Sequence, residues 1–146
     1  MHHREKLESV NLSNLGFPLY LLPLSEIESV DWRYEGYFDD KRAVIFLRSG
    51  TILVSSPFPD SVNVLSVVRI VKEKLDGTNP ETEIPQAFSA QSNPPIEWKQ
   101  LHYLKKPRIT FHFASGAKIA SKPMTADVTV GNRIKEVKKE FPGLPL

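Results

Sequence analysis

The sequence has no cysteine among its 146 residues, which removes disulfides, thiolate nucleophiles and cysteine-held zinc together. Long apolar runs are missing too. The richest stretch, FPLYLLPL at 17–24, is well short of the roughly 20 residues a bilayer-spanning helix needs. The opening MHHREKLESVNLSNLG lacks the apolar centre of a signal peptide. Nor is there a strong excess of charge: 19 Lys and Arg against 17 Asp and Glu leave +2, below what marks a dedicated nucleic-acid binder. These absences predict a protein with no membrane contact and a cytoplasmic, reducing setting. No GxGxxG or Walker-type loop and no nucleophile-elbow serine can be found.

What is present is a repeat. RSGTILVSSP at 48–57 is echoed by ASGAKIASKP at 114–123. Laid over each other without a gap at an offset of 66, residues 32–77 and 98–143 share 12 identities in 46 positions. The pairs include Trp32/Trp98, Tyr37/Tyr103, Arg42/Arg108, Ser49/Ser115, Gly50/Gly116, Ser55/Ser121, Pro57/Pro123, Val64/Val130 and Val71/Val137. The period exceeds the 20–50 residues of solenoid repeats, and two copies make a duplicated module rather than an array.

Each copy reads as a β-meander followed by a helix. In the first, residues 27–38 form a strand, Asp39-Asp40 a turn, and KRAVIFLRSG with TILVSSP a hairpin about Ser49-Gly50, closed by Pro57. A helix follows, with Asp60 or Ser61 as N-cap, Val64, Leu65, Val68, Val71 and Leu75 as its apolar stripe, and Gly77 beyond its end. In the second copy, residues 96–104 form the strand and Lys105-Lys106-Pro107 the turn. RITFHFASG and AKIASKP form the hairpin, and a helix within 125–141 presents Val128, Ile134, Val137 and Phe141.

An additional strand is expected at 17–24. The predicted fold class is therefore α+β: two homologous β-meander–helix repeats, 66 residues apart, packed about a pseudo-twofold axis. The expected division is an arm at 1–16, a first repeat at 17–77, a proline-rich linker or surface loop at 78–95, and a second repeat at 96–146. Neither repeat alone is long enough to bury a comfortable core.

The chemistry-bearing residues are few. Asp39 and Asp40 are adjacent and suit a solvated turn; His112, aligned with Phe46, suits a packed strand position; His102 has no identifiable partner. His2 and His3 alone make no metal site. No catalytic residue, metal or cofactor is therefore assigned, and an enzyme is not favoured.

The better case is binding. WKQLHYLKKPRITFHF at 98–113 interleaves cations with aromatics, so Lys99, Lys105, Lys106 and Arg108 are predicted to contact phosphates while Trp98 and Tyr103 stack on bases. Arg33, Lys41 and Arg42 extend that nucleic-acid surface in the first copy. The alternative expectation is a protein-interaction or self-assembly adaptor, forming homo-oligomers or binding another protein. It would use open sheet edges and the opposite charges of Asp39-Asp40 and Lys105-Lys106.

Overall fold

The computed structural model describes residues 9–17, 21–35, 40–78, 82–85 and 95–142. His2, His3, Tyr37, Asp39 and most of the proline-rich segment lie outside the described residues. The chain begins with β1 (Ser9–Asn11), a 3-10 turn at Leu12–Leu15, β2 (Leu21–Pro23) and a second 3-10 turn at Leu24–Glu26. Then come β3 (Ile27–Glu35), β4 (Asp40–Leu47), β5 (Ile52–Val54) and α1 (Val64–Asp76). The order continues with β6 (Pro95–Tyr103), β7 (Lys106–Phe113), β8 (Lys118–Ala120) and α2 (Val130–Glu140). β1 and β2 pair as a small ribbon, and the other six strands form one antiparallel sheet in the order β3-β4-β5-β8-β7-β6. The protein is α+β.

Both faces of this sheet are covered, which is why β4 reads DKRAVIFL without a polar alternate in its second half. Ala43, Ile45 and Leu47 join the larger core with Leu53, Ile109, Phe111, Phe113 and Ile119, under the two helices. Val44, Ile52, Val54, Tyr103 and Ala120 form a smaller core on the other face. Val10, Leu12, Leu15 and Phe17 are buried in the larger core, so the described part of the N-terminal arm, from residue 9 on, belongs to the packing. Ile84 also reaches it, and its carbonyl accepts from Asn14 Nδ2 at 3.0 Å.

Local chemistry moves several predicted boundaries. The α1 cap is Asn63, whose side chain accepts from the Leu65 N–H; Asp60 and Ser61 instead fall in a turn in which Val62 N–H reaches the Pro59 carbonyl. Leu65 points outward, because the buried stripe is Val64, Val67, Val68 and Val71. Thr129 caps α2. FPLYLLPL is not one strand: β2 ends at Pro23 and Leu24 opens a 3-10 turn. The second meander turns at Leu104-Lys105, and Lys106 and Pro107 already belong to β7.

The strand registers do not follow one offset. β4 and β7, β5 and β8, and the starts of the two helices are each 66 positions apart. At the centre Leu53 faces Ile119, with Ile52 opposite Ala120 and Val54 opposite Lys118, a locally twofold arrangement. The outer strands β3 and β6 are instead 68 apart. Trp32 lies opposite Ala43, but Trp98 lies opposite Phe111, so the two tryptophans do not occupy matching rungs. A slip of two residues keeps every side chain on its original face, and the alternation of the sequence cannot reveal it.

The repeated RSG…SSP and ASG…SKP segments hold the two meanders together. Arg42 Nη1 donates to the carbonyls of Ser55 (3.1 Å) and Gly116 (2.6 Å), while Arg108 Nη1 donates to those of Ser121 (2.9 Å) and Gly50 (3.1 Å). Each arginine thus ties its own meander to the other's hairpin turn. Ser55 Oγ accepts from Ala43 N–H and Ser121 Oγ from Ile109 N–H. Gly50 and Gly116 have φ of +99° and +96°. A Cβ at Gly50 would sit 2.8 Å from Lys122 Cβ, and one at Gly116 2.9 Å from Pro57 Cδ, so both the backbone conformation and the close approach require glycine.

Candidate interaction surface

The nine cationic and aromatic residues singled out in the sequence fall into two groups. Arg108 is buried: besides the contacts above, its Nε donates to the Tyr103 carbonyl at 3.0 Å, and burial lowers its pKa from the ordinary value. Arg42 is committed to two carbonyls and lies 3.7 Å from Asp40. Tyr103 is buried and donates its hydroxyl to Glu35. Arg33 pairs with Glu35 at 3.2 Å and lies over the Tyr103 ring. Lys41 is exposed on β4, opposite Tyr34. Trp98, Lys99, Lys105 and Lys106 are exposed together on the β6–β7 hairpin.

The contact between Glu35 and Tyr103 reports the shape of the sheet. They sit on its two edge strands, which in a flat sheet would be about 24 Å apart at ~4.8 Å per strand. Here the sheet curls until the ends of β3 and β6 meet over one face. Lys118 completes the cluster, 3.0 Å from Glu35 and 4.3 Å from the Tyr103 ring centre. Burial pushes the Tyr103 phenol well above its usual range, the hydrogen bond to and the charge of Glu35 add to the rise, and Arg33 and Arg108 oppose it.

A raised pKa means that the folded state holds this proton more tightly. Its contribution is complete below the ordinary tyrosine value of about 10 and is lost as pH rises beyond it. The stability advantage of wild type over Tyr103→Phe is therefore expected to shrink between pH 9 and 11, by up to ~1.4 kcal/mol per pH unit above 10. Urea melts across that range check it, and a constant difference counts against the assignment.

β6 differs from the rest of the sheet. It is an edge strand, and α2 packs on its neighbour β7, whereas α1 covers both β3 and β4. Trp98 is 45% exposed although its opposite residue, Phe111, is fully buried. Leu101 and Leu104 are also exposed, so three of the five exposed large hydrophobics among the described residues lie on this strand and its turn. Leu101 and Leu104 were not singled out in the sequence; the signal was an edge segment, WKQLHYL, apolar on both of its faces.

The turn beyond β6 is strained. Leu104 and Lys105 have φ of +55° and +65°, the left-handed pair of a two-residue hairpin normally given to Asn-Gly. A leucine held there, 38% exposed, is an unusual occupant, and such local strain concentrates at functional positions. Replacing the pair by Leu104→Asn/Lys105→Gly is expected to stabilise the fold by about 1 kcal/mol, seen as a rise in Tm of several degrees. A fall in Tm would contradict this reading of the turn.

Among the described residues no three His, Cys, Asp or Glu side chains converge, and no helix is long and apolar enough to cross a membrane. No protein-family model matches the sequence, and comparison with curated proteins and with solved structures gives no significant match.

Proposed function

We propose that this chain is a protein-interaction module that takes an extended segment of a partner onto the outer edge of β6. The observation that carries this is the exposure of Trp98 and Leu101, on the two faces of a strand at the end of the sheet order, and of Leu104 in the turn that follows it. An added strand satisfies main-chain groups of an edge and covers side chains on both of its faces. Lys99, Lys105 and Lys106 on the same hairpin favour a partner segment in which acidic residues accompany the apolar ones.

The exposure of Trp98 on the same hairpin as these lysines also supports a second reading, single-stranded nucleic acid stacked on the indole. The first is preferred because Arg42, Arg108 and Tyr103 are held in the fold's own hydrogen bonds. We further infer that the two meander–helix units descend from one duplicated module. The matching arginine, serine and glycine contacts support this, and the 68-residue spacing of the outer strands is then a later two-residue change at the β6–β7 turn.

Selection of displayed random peptides against the immobilised protein tests the proposal. Extended sequences alternating apolar and acidic residues are expected. Their affinity should fall at least about tenfold, ~1.4 kcal/mol, on Trp98→Ser/Leu101→Ser and hold on Leu65→Ser. No enrichment, or binding indifferent to Trp98 and Leu101, overturns it. Binding of mixed oligonucleotides that weakens steeply with salt, and flattens in Lys105→Ala/Lys106→Ala, replaces it with the nucleic-acid reading.

A further inference from the structure

Little holds β6 in its register. Of residues 98–103, five are exposed and Tyr103 alone is buried. Its counterpart β3 is pinned by Ile27 and Val30, both buried in the larger core, with Trp32 half-buried against them. A strand without a buried face has a weakly specified register, and a slip of two residues returns every side chain to its own face. For β6 such a slip removes one side chain of these six from burial, that of Tyr103.

The present register also strains the turn. Tyr103 pairs with Lys106, so Leu104 and Lys105 alone reverse the chain, and both take left-handed backbone. In the first meander Glu35 pairs with Asp40, and four residues make the same connection. Sliding β6 by two residues reproduces that spacing: Leu101 then faces Lys106, and residues 102–105 form the turn. Trp98 then faces Ile109, as Trp32, 66 positions earlier, faces Ala43. The slipped register is therefore the one its sister unit already adopts.

The clasp at Tyr103 opposes the slip. The Tyr103 hydroxyl donates to Glu35, Arg33 and Lys118 lie over its ring at 5.4 and 4.3 Å, and its carbonyl accepts from Arg108 Nε. Only the first three contacts need tyrosine. Any residue brought to that rung supplies a carbonyl for Arg108, and the same is true of the Lys99 carbonyl, which accepts from Thr110 Oγ1 at 3.3 Å. We propose that the β6–β7 hairpin is a two-register switch, in which the clasp sets the present register and its release lets β6 slide about 7 Å along β7. The slide carries Trp98 from Phe111 to Ile109, draws Tyr103 into the turn and frees Glu35. The ends of β3 and β6 are then unfastened, so the register of the edge strand and the closure of the curled sheet change together. This holds whether or not a partner segment pairs with β6.

Disulfide trapping in the full chain tests it, since the sequence has no cysteine of its own. Leu101→Cys and Lys106→Cys replace exposed residues that are diagonal in the present register, roughly 7–8 Å apart and out of disulfide reach. After the slip they stand directly opposite, about 5.5 Å apart. Oxidation of this double variant is expected to close an intramolecular disulfide. NMR of the closed protein should then show Trp98 Hα against Ile109 Hα in place of Phe111 Hα. Closure should be about tenfold slower with Leu104→Asn/Lys105→Gly, which relaxes the present turn, and about tenfold faster with Tyr103→Phe, which removes the bond to Glu35. Failure to close, a rate indifferent to both sets of substitutions, or a closed protein with Trp98 still opposite Phe111 would overturn the proposal. The last result would mean that only the end of the hairpin frays.

Discussion

Arg108→Ala lowers the stability of the fold by about 3–4 kcal/mol, because one buried guanidinium holds three carbonyls that no other group reaches to replace. Those acceptors belong to Tyr103, Gly50 and Ser121, so the loss falls on the end of β6, on the opposite hairpin turn and on the exit of β8 together. The urea midpoint should drop by roughly 1.5–2 M with little change in slope. Lysine at this position restores only part of the loss, since a point charge cannot serve three acceptors with the planar fork of arginine. Arg42→Ala costs about 1–2 kcal/mol, since Arg42 is less buried and contacts two carbonyls. A loss below about 1 kcal/mol at Arg108, or a larger one at Arg42, contradicts the account of how the meanders are joined.

The second large effect lies at the centre of the sheet. Leu53 and Ile119 are fully buried and face each other across the three-residue β5–β8 ladder, the only strand pairing between the two meanders among the described residues. Truncating either to alanine should cost about 2–4 kcal/mol. The double variant should depart from additivity by at least ~0.5 kcal/mol, because the two side chains share one cavity. Unfolding should remain a single transition throughout, since neither unit buries enough apolar surface to stand alone. Two resolved transitions, or strict additivity, would show that the units are less dependent on each other than this interface implies.

How much of this was legible depends on what each residue does. Arg42, Arg108, Ser49, Ser115, Gly50, Gly116, Ser55 and Ser121 recur at a fixed spacing: the arginines and glycines meet across the two meanders, Ser55 and Ser121 bond within their own, and Ser49 and Ser115 reach Glu140 and Gly16. Their repetition could be read from the sequence, but the partners they meet, and the burial of Arg108, Ser55, Ser115 and Ser121, could not. Arginine in a strand looks like a surface cation until the carbonyls that surround it are known. The matching tryptophans carried the opposite lesson. Their shared spacing suggested equivalent places, yet a two-residue shorter turn slides β6 along β7, and Trp98 ends opposite Phe111.

Period-two patterns are blind to such a slip, so an apparently strong identity pointed to the wrong rung. The candidate surface was half visible for the same reason. Trp98, Lys99, Lys105 and Lys106 stood out by type, and all four are exposed on one hairpin. Leu101 and Leu104 gained meaning only from the strand order, which leaves β6 at the edge.

The slip of β6 and the openness of its edge converge on one observable, the difference between the two indoles. Trp32 is half-buried against the larger core, edge-on to Tyr34 at 5.2 Å, while Trp98 stands 45% exposed on β6. Iodide quenching of Trp32→Phe and Trp98→Phe, each leaving one indole, should therefore be several-fold more efficient for the protein that retains Trp98. Equal quenching, or a shielded Trp98, would mean that β6 is not an open edge and that the surface assigned to it does not exist.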